Sequence, residues 1–146
     1  MTAKEYLRSI RRQSRHIDSL LAQKDRLKDL AEGISGMSYD DVKVQTSRTL
    51  SGNRQTDAVY RLIELEERIT DEIDLYVDMR EEAERYISCL RSFTEQDVLR
   101  NYYLTGMTWE EVAEVMGYDV RQIFRIHGKA LKHLQEKMSL NVSIKS

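Results

Sequence analysis

Apolar residues recur at heptad spacing along two long stretches of this chain, and no proline interrupts either. In the first stretch they are Tyr6, Ile10, Ile17, Leu20, Leu27 and Ala31, with Gln13 and Lys24 as polar breaks. In the second they are Val59, Leu62, Ile69, Ile73, Tyr76, Ala83, Ile87 and Leu90, broken by Glu66 and Arg80. A stripe kept up over several heptads must be covered by another helix. The expected fold class is therefore all-α, with a long two-helix, coiled-coil-like hairpin as its first part.

Charge supports pairing of the two stretches. Residues 1–30 hold eight Lys/Arg against four Asp/Glu, whereas residues 54–90 hold five against eleven. A basic helix facing an acidic one favours an antiparallel hairpin, and dimerisation through the same seams is the competing arrangement. The net charge of −2 therefore averages over regions of opposite sign, and local charge sets a binding field.

Local signals place the boundaries. Thr2 and Glu5 have the spacing of a capping box, and Gly33 and Gly36 end the first helix. Residues 33–55 lose the heptad period, although Val42, Val44 and Thr46 alternate briefly, and are expected to form a loop that includes "VQTS". The second long helix is expected from Thr56–Asp57. After residue 90 the pattern shortens: a helix capped by Thr94 runs to Gly106, and a second capping box, Thr108 to Glu111, opens a two-turn helix ending at Gly117. Asp119, with Gln122 as its box partner, opens the last helix, over 119–137. The expected division is a hairpin over 1–90 for dimerisation or partner binding, a small domain over 91–138 and a frayed tail over 139–146.

The small domain carries the informative spacing. Val112 and Met116 face a core with the small Ala113 between them, Gly117 sits where a positive φ costs least, and Ile123 and Ile126 return to that core. This is a helix-turn-helix pattern. An αα-hairpin that merely packs shares parts of it. The opposite face of the last helix favours DNA reading, because Arg121, Gln122, Arg125, Lys129 and Lys132 collect there. Arg and Gln suit guanine and adenine edges, and later lysines suit phosphates.

The stretch "TWEEVAEVMGYDVRQIFRIHGKALKHL" resembles region four of the primary bacterial sigma factors, the module that reads the upstream promoter element. The acidic pair after Thr108, the turn glycine, "I-x-x-I" and "KAL-x-x-L" fall in corresponding places. The resemblance implies a sigma-region-four-like helix-turn-helix domain. Carried over by position, it gives base-reading places at Val120, Arg121 and Arg125 and a backbone-contact place at Phe124. With the outward face of the last helix, the expected base readers are Val120, Arg121, Gln122 and Arg125, and the expected phosphate contacts Thr108, Phe124, Lys129 and Lys132. That family usually has basic residues where Val120 and Phe124 stand, so a different target sequence is expected. Phe124 is open to two readings: contact with DNA or packing on a neighbouring helix. Together, "KEYL", "VQTS", "ELEERITDEIDLYVDM" and "HGKAL" make nearly the whole chain similar to small phage and prophage proteins of Gram-positive bacteria, the RinA and ArpU late-gene regulators. That resemblance implies sequence-directed transcription control of phage genes. Nothing resembles a promoter-melting helix, and Trp109 is expected in the core, so a regulator is expected rather than a self-sufficient sigma factor.

Catalysis finds no motif. There is no HExxH, no Cys/His cluster with zinc spacing, no phosphate-cradling glycine loop and no nucleophile elbow. His127 is expected in half-buried packing, and it and His133 face different sides of one helix. No enzyme activity, cofactor or metal is expected. The single cysteine, Cys89, excludes an intrachain disulfide, fits a reducing cytoplasm and is expected buried. No apolar run approaches membrane length, and the arginines at 8, 11, 12 and 15 leave no signal-peptide core. The expected location is the cytoplasm of a bacterial host. The expected partners are double-stranded DNA, RNA polymerase and a second copy of the chain through the long helices. Two rival functions stand beside transcription control: a small terminase-like DNA-packaging protein, and a helical protein-interaction adaptor that does not bind DNA.

Overall fold

The computed structural model describes the backbone of residues 1–36 and 45–145, and the side chains of residues 1–32 and 54–141. Every regular element among them is helical: α1 (Ala3–Gly36), α2 (Gln45–Ser88), α3 (Phe93–Leu99) continuing into a π turn (Arg100–Leu104), α4 (Trp109–Met116) and α5 (Val120–Lys145). The protein is all-α, two long paired helices preceding a small helix-turn-helix region.

The chain divides into two compact units, one made of residues 15–74 and the other of residues 1–14 with 75–146. In the first, α1 and α2 run antiparallel, since His16 Nε2 lies 4.0 Å from Glu72 Oε1 and Lys24 Nζ lies 3.6 Å from Glu66 Oε1. The polar breaks Lys24 and Glu66 thus answer each other. Ile17, Leu20, Ala58 and Ile69 are buried, but Val59 and Ile73 are exposed. The inward row of α2 is displaced by one residue from the expected one, running through Ala58, Leu65 and Glu72 beside Leu62 and Ile69. A heptad stripe alternates steps of three and four, and in α2 the packed row takes Ala58 rather than Val59. Glu66 belongs to the outer row, so it breaks no core.

α2 begins at Gln45, well before Thr56. Ser, Thr and Asn lower helix propensity by tenths of a kcal/mol and Gly52 by about 1 kcal/mol, but only proline would forbid the helix. Of "VQTS", Gln45, Thr46 and Ser47 open this helix, while Val44, like the alternation at Val42, lies outside the described residues.

The second unit has two clusters. Ala3, Leu7 and Ile10 of α1 pack with Ala83, Ile87 and Leu90, with Leu99, Tyr103 and Leu104, and with Ala130 and Leu134 of α5. Val98, Val112, Ala113 and Ile123 form the other, bordered by Tyr102, Met107, Trp109, Met116, Val120 and Ile126. Full burial of each Leu, Ile or Val stabilises by roughly 1.5–3 kcal/mol, so both clusters are substantial. α1 opens on its reciprocal box: Glu5 N donates to Thr2 Oγ1 (3.1 Å) and Thr2 N to Glu5 Oε2 (2.8 Å). These bonds, the backbone one foremost, hold the Glu5 carboxyl below its usual range.

Three local expectations are corrected. Ser92, not Thr94, caps α3: its hydroxyl accepts from Glu95 N at 3.3 Å. "SFTE" satisfies the capping spacing two residues earlier than Thr94 does. Cys89 is exposed, because the inward places on this part of α2 fall to Ala83, Ile87 and Leu90. Its thiol donates to the Arg85 carbonyl (3.3 Å). Finally, α5 does not stop near residue 137 but runs to Lys145, and Asn141 Nδ2 donates to the Tyr86 hydroxyl at 2.6 Å.

Candidate nucleic-acid interface

The turn between α4 and α5 is set by local chemistry at every step. Thr108 is extended (φ −74°, ψ 163°) and its hydroxyl accepts from Glu111 N at 3.2 Å, which opens α4. Val112 and Ala113 are buried one turn later. Gly117 closes the helix at φ 73°, a left-handed conformation that costs a residue with Cβ roughly 1–2 kcal/mol. Tyr118 N donates to Ala113 O (3.0 Å) and Gly117 N to Glu114 O (3.3 Å), the paired bonds of a Schellman closure. Then Gln122 N donates to Asp119 Oδ1 (2.8 Å), and Asp119 N to Gln122 Oε1 (3.2 Å). Both ends of the turn are capped, so the first turn of α5 is presented in one orientation.

On α5, Ile123, Ala130 and Leu134 are buried while Arg121, Gln122, Arg125, Lys129 and Lys132 are exposed. Steps of four, four and three align Arg121, Arg125, Lys129 and Lys132 in one stripe of about 17 Å. None of these four takes part in an ion pair among the described residues. By contrast, Arg100 is paired with Glu84 at 2.6 Å. Thr108 is exposed at the start of α4. The other residues singled out from the sequence are placed differently. Val120 is partly buried against the second cluster, and the Gln122 carbonyl oxygen is engaged in the cap. Phe124 is half exposed, its ring edge-on to Trp109 at 5.4 Å.

Sequence reasoning missed what lies behind Phe124. The Arg11 guanidinium sits 4.0 Å over the Tyr102 ring. Tyr102 stacks on Trp109 with centroids 3.7 Å apart and planes 8° from parallel, and Trp109 meets Phe124. Arg11 Nη1 also donates to the carbonyls of Tyr102 and, at 3.1 Å, Met107. The π turn makes the first of these possible. Thr105 N reaches back to Arg100 O (2.8 Å) and Met107 N to Asn101 O (3.0 Å), while Gly106 turns at φ 82°. The widened ladder leaves the Tyr102 carbonyl free to accept from a side chain. No spacing signal reveals this contact, because its partners lie 91 and 96 residues apart.

His127 is half-buried and shares a 2.7 Å hydrogen bond with the Tyr103 hydroxyl. Burial, aided by the nearby cations of Lys4 and Arg8, lowers the imidazole to about 4, so it is neutral near pH 7. Burial, with Tyr102 adding to it, raises Tyr103 to about 12. His133 lies on another side of α5, 2.8 Å from Glu95 Oε2. Among the described residues, no group of three or more His, Cys, Asp or Glu could hold a metal ion. None of their helices is long and apolar enough to cross a membrane.

Residues 92–136 match the family model of sigma-70, region 4. No curated protein and no solved structure matches the chain. The part of the chain that holds α3, the π turn, α4 and the first two thirds of α5 is thus a sigma-70 region-4-like helical domain without catalytic motifs. Its fold is consistent with DNA-binding transcription regulation.

Proposed function

We propose that the chain is a sequence-specific DNA-binding transcription regulator that lays the start of α5 in the major groove. Arg121 and Arg125 read base edges, with Val120 and Gln122 beside them. Thr108, Phe124, Lys129 and Lys132 meet the backbone. The observation that carries this reading is the stripe of four unpaired cations on α5, directly after a turn fixed by Gly117 and Asp119. An αα-hairpin has no packing need for that stripe. The setting we infer is the cytoplasm of a bacterial host, where the protein acts on phage or prophage genes in the manner of the RinA and ArpU regulators and in concert with RNA polymerase. Pairing with a second copy through the long helices would cover Val59, Ile63 and Ile73, which stand exposed on α2.

The test is selection from a random duplex library, with the intact protein and with the Arg121→Ala/Arg125→Ala variant. A defined motif should be enriched by the first and lost by the second. Each arginine should contribute about 1–3 kcal/mol on that motif. Lys129→Ala should weaken all duplexes alike and reduce the salt slope by about 1. If neither protein enriches a motif, the chain is an adaptor that does not read DNA.

A further inference from the structure

We propose that the first turns of α1 form a second phosphate-binding edge beside the recognition helix, with Lys4, Arg8 and Arg12 meeting the DNA backbone outside the segment read by α5. This inference rests on the DNA-binding reading above and extends it to residues outside the region-4-like domain.

Three observations carry it. The first is position. Ala3 N donates to Gln135 Oε1 at 2.7 Å, Leu7 and Ile10 share a cluster with Ala130 and Leu134, and Arg11 reaches the Met107 carbonyl. The start of α1 therefore lies along α5 and leads to the residue just before the Thr108 cap, where α4 begins.

The second is orientation. Leu7 and Ile10 are fully buried, whereas Lys4, Arg8 and Arg12 are exposed. Steps of four put these three on one stripe about 12 Å long. Lys4 adjoins Ala3, whose amide bonds Gln135 of α5, and Lys4 and Arg8 are close enough to His127 of α5 to disfavour its protonation. Tyr6, on the other side of α1, hydrogen-bonds Glu82 of α2 at 3.1 Å.

The third is surplus charge. None of the three forms an ion pair among the described residues, while their neighbour Arg11 is committed to two carbonyls and a ring. The fold uses one cation of this segment and leaves three facing solvent on a helix that packs against α5. Exposed cations on neighbouring helices of one compact unit make a field suited to a polyanion.

The experiment uses the full chain and its Lys4→Gln/Arg8→Gln/Arg12→Gln variant, titrated across salt with the duplex selected by the wild type and a scrambled duplex of equal length. Each phosphate contact contributes about 0.9 to the slope of log K against log salt. Loss of two or three contacts should lower the slope by about 2–3 and weaken both duplexes by about 30- to 150-fold at 0.15 M salt. The ratio between duplexes and the thermal melt should not change. The conservative Arg8→Lys/Arg12→Lys variant should keep most of the slope. If the wild type binds its motif and the variant keeps the same slope and affinity, the edge is refuted while the α5 reading stands. If the variant loses only the ratio between duplexes, these residues read bases instead and the proposal is wrong. If the wild type itself shows no salt-sensitive binding, the DNA-binding reading fails and takes this edge with it.

Discussion

Removing the Arg11 side chain should loosen the helix-turn-helix from the start of α1. Its guanidinium donates to two carbonyls and lies over Tyr102. Hydrogen bonds to a charged group are worth about 1.5–3 kcal/mol each, and a desolvated cation–π contact adds about 1–2 kcal/mol. Against these stands the burial of a cation whose Nε has no hydrogen-bond partner, which costs about 1–3 kcal/mol. The balance is a loss of about 4 kcal/mol for Arg11→Ala. Arg11→Lys should lose about half as much, because an ammonium keeps the charge but cannot lie flat on the ring while reaching both carbonyls. Urea unfolding followed by tryptophan emission is the suitable assay, since Trp109 is the sole tryptophan and stacks on the ring that Arg11 covers. A loss below about 0.5 kcal/mol, with the emission of Trp109 unmoved, would refute the reasoning. The guanidinium would then be a surface group resting on a domain that holds itself together.

Two further predictions use the same unfolding assay. Gly117→Ala should destabilise by about 1 kcal/mol because φ is positive there, whereas Gly128→Ala, inside α5, should stabilise by up to about 1 kcal/mol; a Cβ meets nothing within 4 Å at either position, so backbone conformation alone decides the sign. The His127 imidazole is lowered to about 4 in the folded protein from an ordinary 6.5, so the unfolded chain takes up a proton between those values and the folded one does not. Stability should be full above pH 6.5 and fall towards pH 4 by at most about 1.4 kcal/mol per pH unit. His127→Gln should flatten that stretch of the pH profile, and a profile identical to the wild type would show that the imidazole is not the group responsible.

What was legible in the sequence was whatever acts over a few residues. The reciprocal boxes at Thr2 and Asp119, the positive φ at Gly117 and the cap at Thr108, where only the bond from Glu111 N to the hydroxyl forms, all depend on neighbours within a turn. The outward cations of α5 were legible for the same reason, since Ile123, Ala130 and Leu134 fix the inward face. The row through Val59 and Ile73 was misread because two rows one residue apart both carry apolar residues, and only the partner helix chooses between them. The early start of α2 at Gln45 was hidden by weak propensities that no breaker turns into a stop. The ladder from Arg11 through Tyr102 and Trp109 to Phe124 joins residues from α1, the π turn, α4 and α5. Such a contact is a product of packing, and no local pattern marks it.

The segment that matches sigma-70 region 4 is not the unit that packs. Leu99, Tyr103, Leu104, Ala130 and Leu134 all lie within residues 92–136, yet the cluster they form is completed by Ala3, Leu7, Ile10, Ala83, Ile87 and Leu90 outside it. α5 joins the two clusters, with Ile123 in the smaller and Ala130 and Leu134 in the larger. Seven residues of one continuous helix separate Ile123 from Ala130, and a helix transmits rotation rigidly over two turns. The angle at which Arg121 and Arg125 are presented is therefore fixed by α1 and α2 as much as by the α4–α5 turn. Arg11 adds a second tie, from α1 to the residue before α4. The proposed reading of bases by Arg121 and Arg125 requires side chains held to within a fraction of an ångström, and the ends of the long helices supply part of that rigidity. The same arrangement brings Lys4, Arg8 and Arg12 beside α5. The residues that hold α5 and those proposed to meet the DNA backbone thus come from the same first three turns of α1.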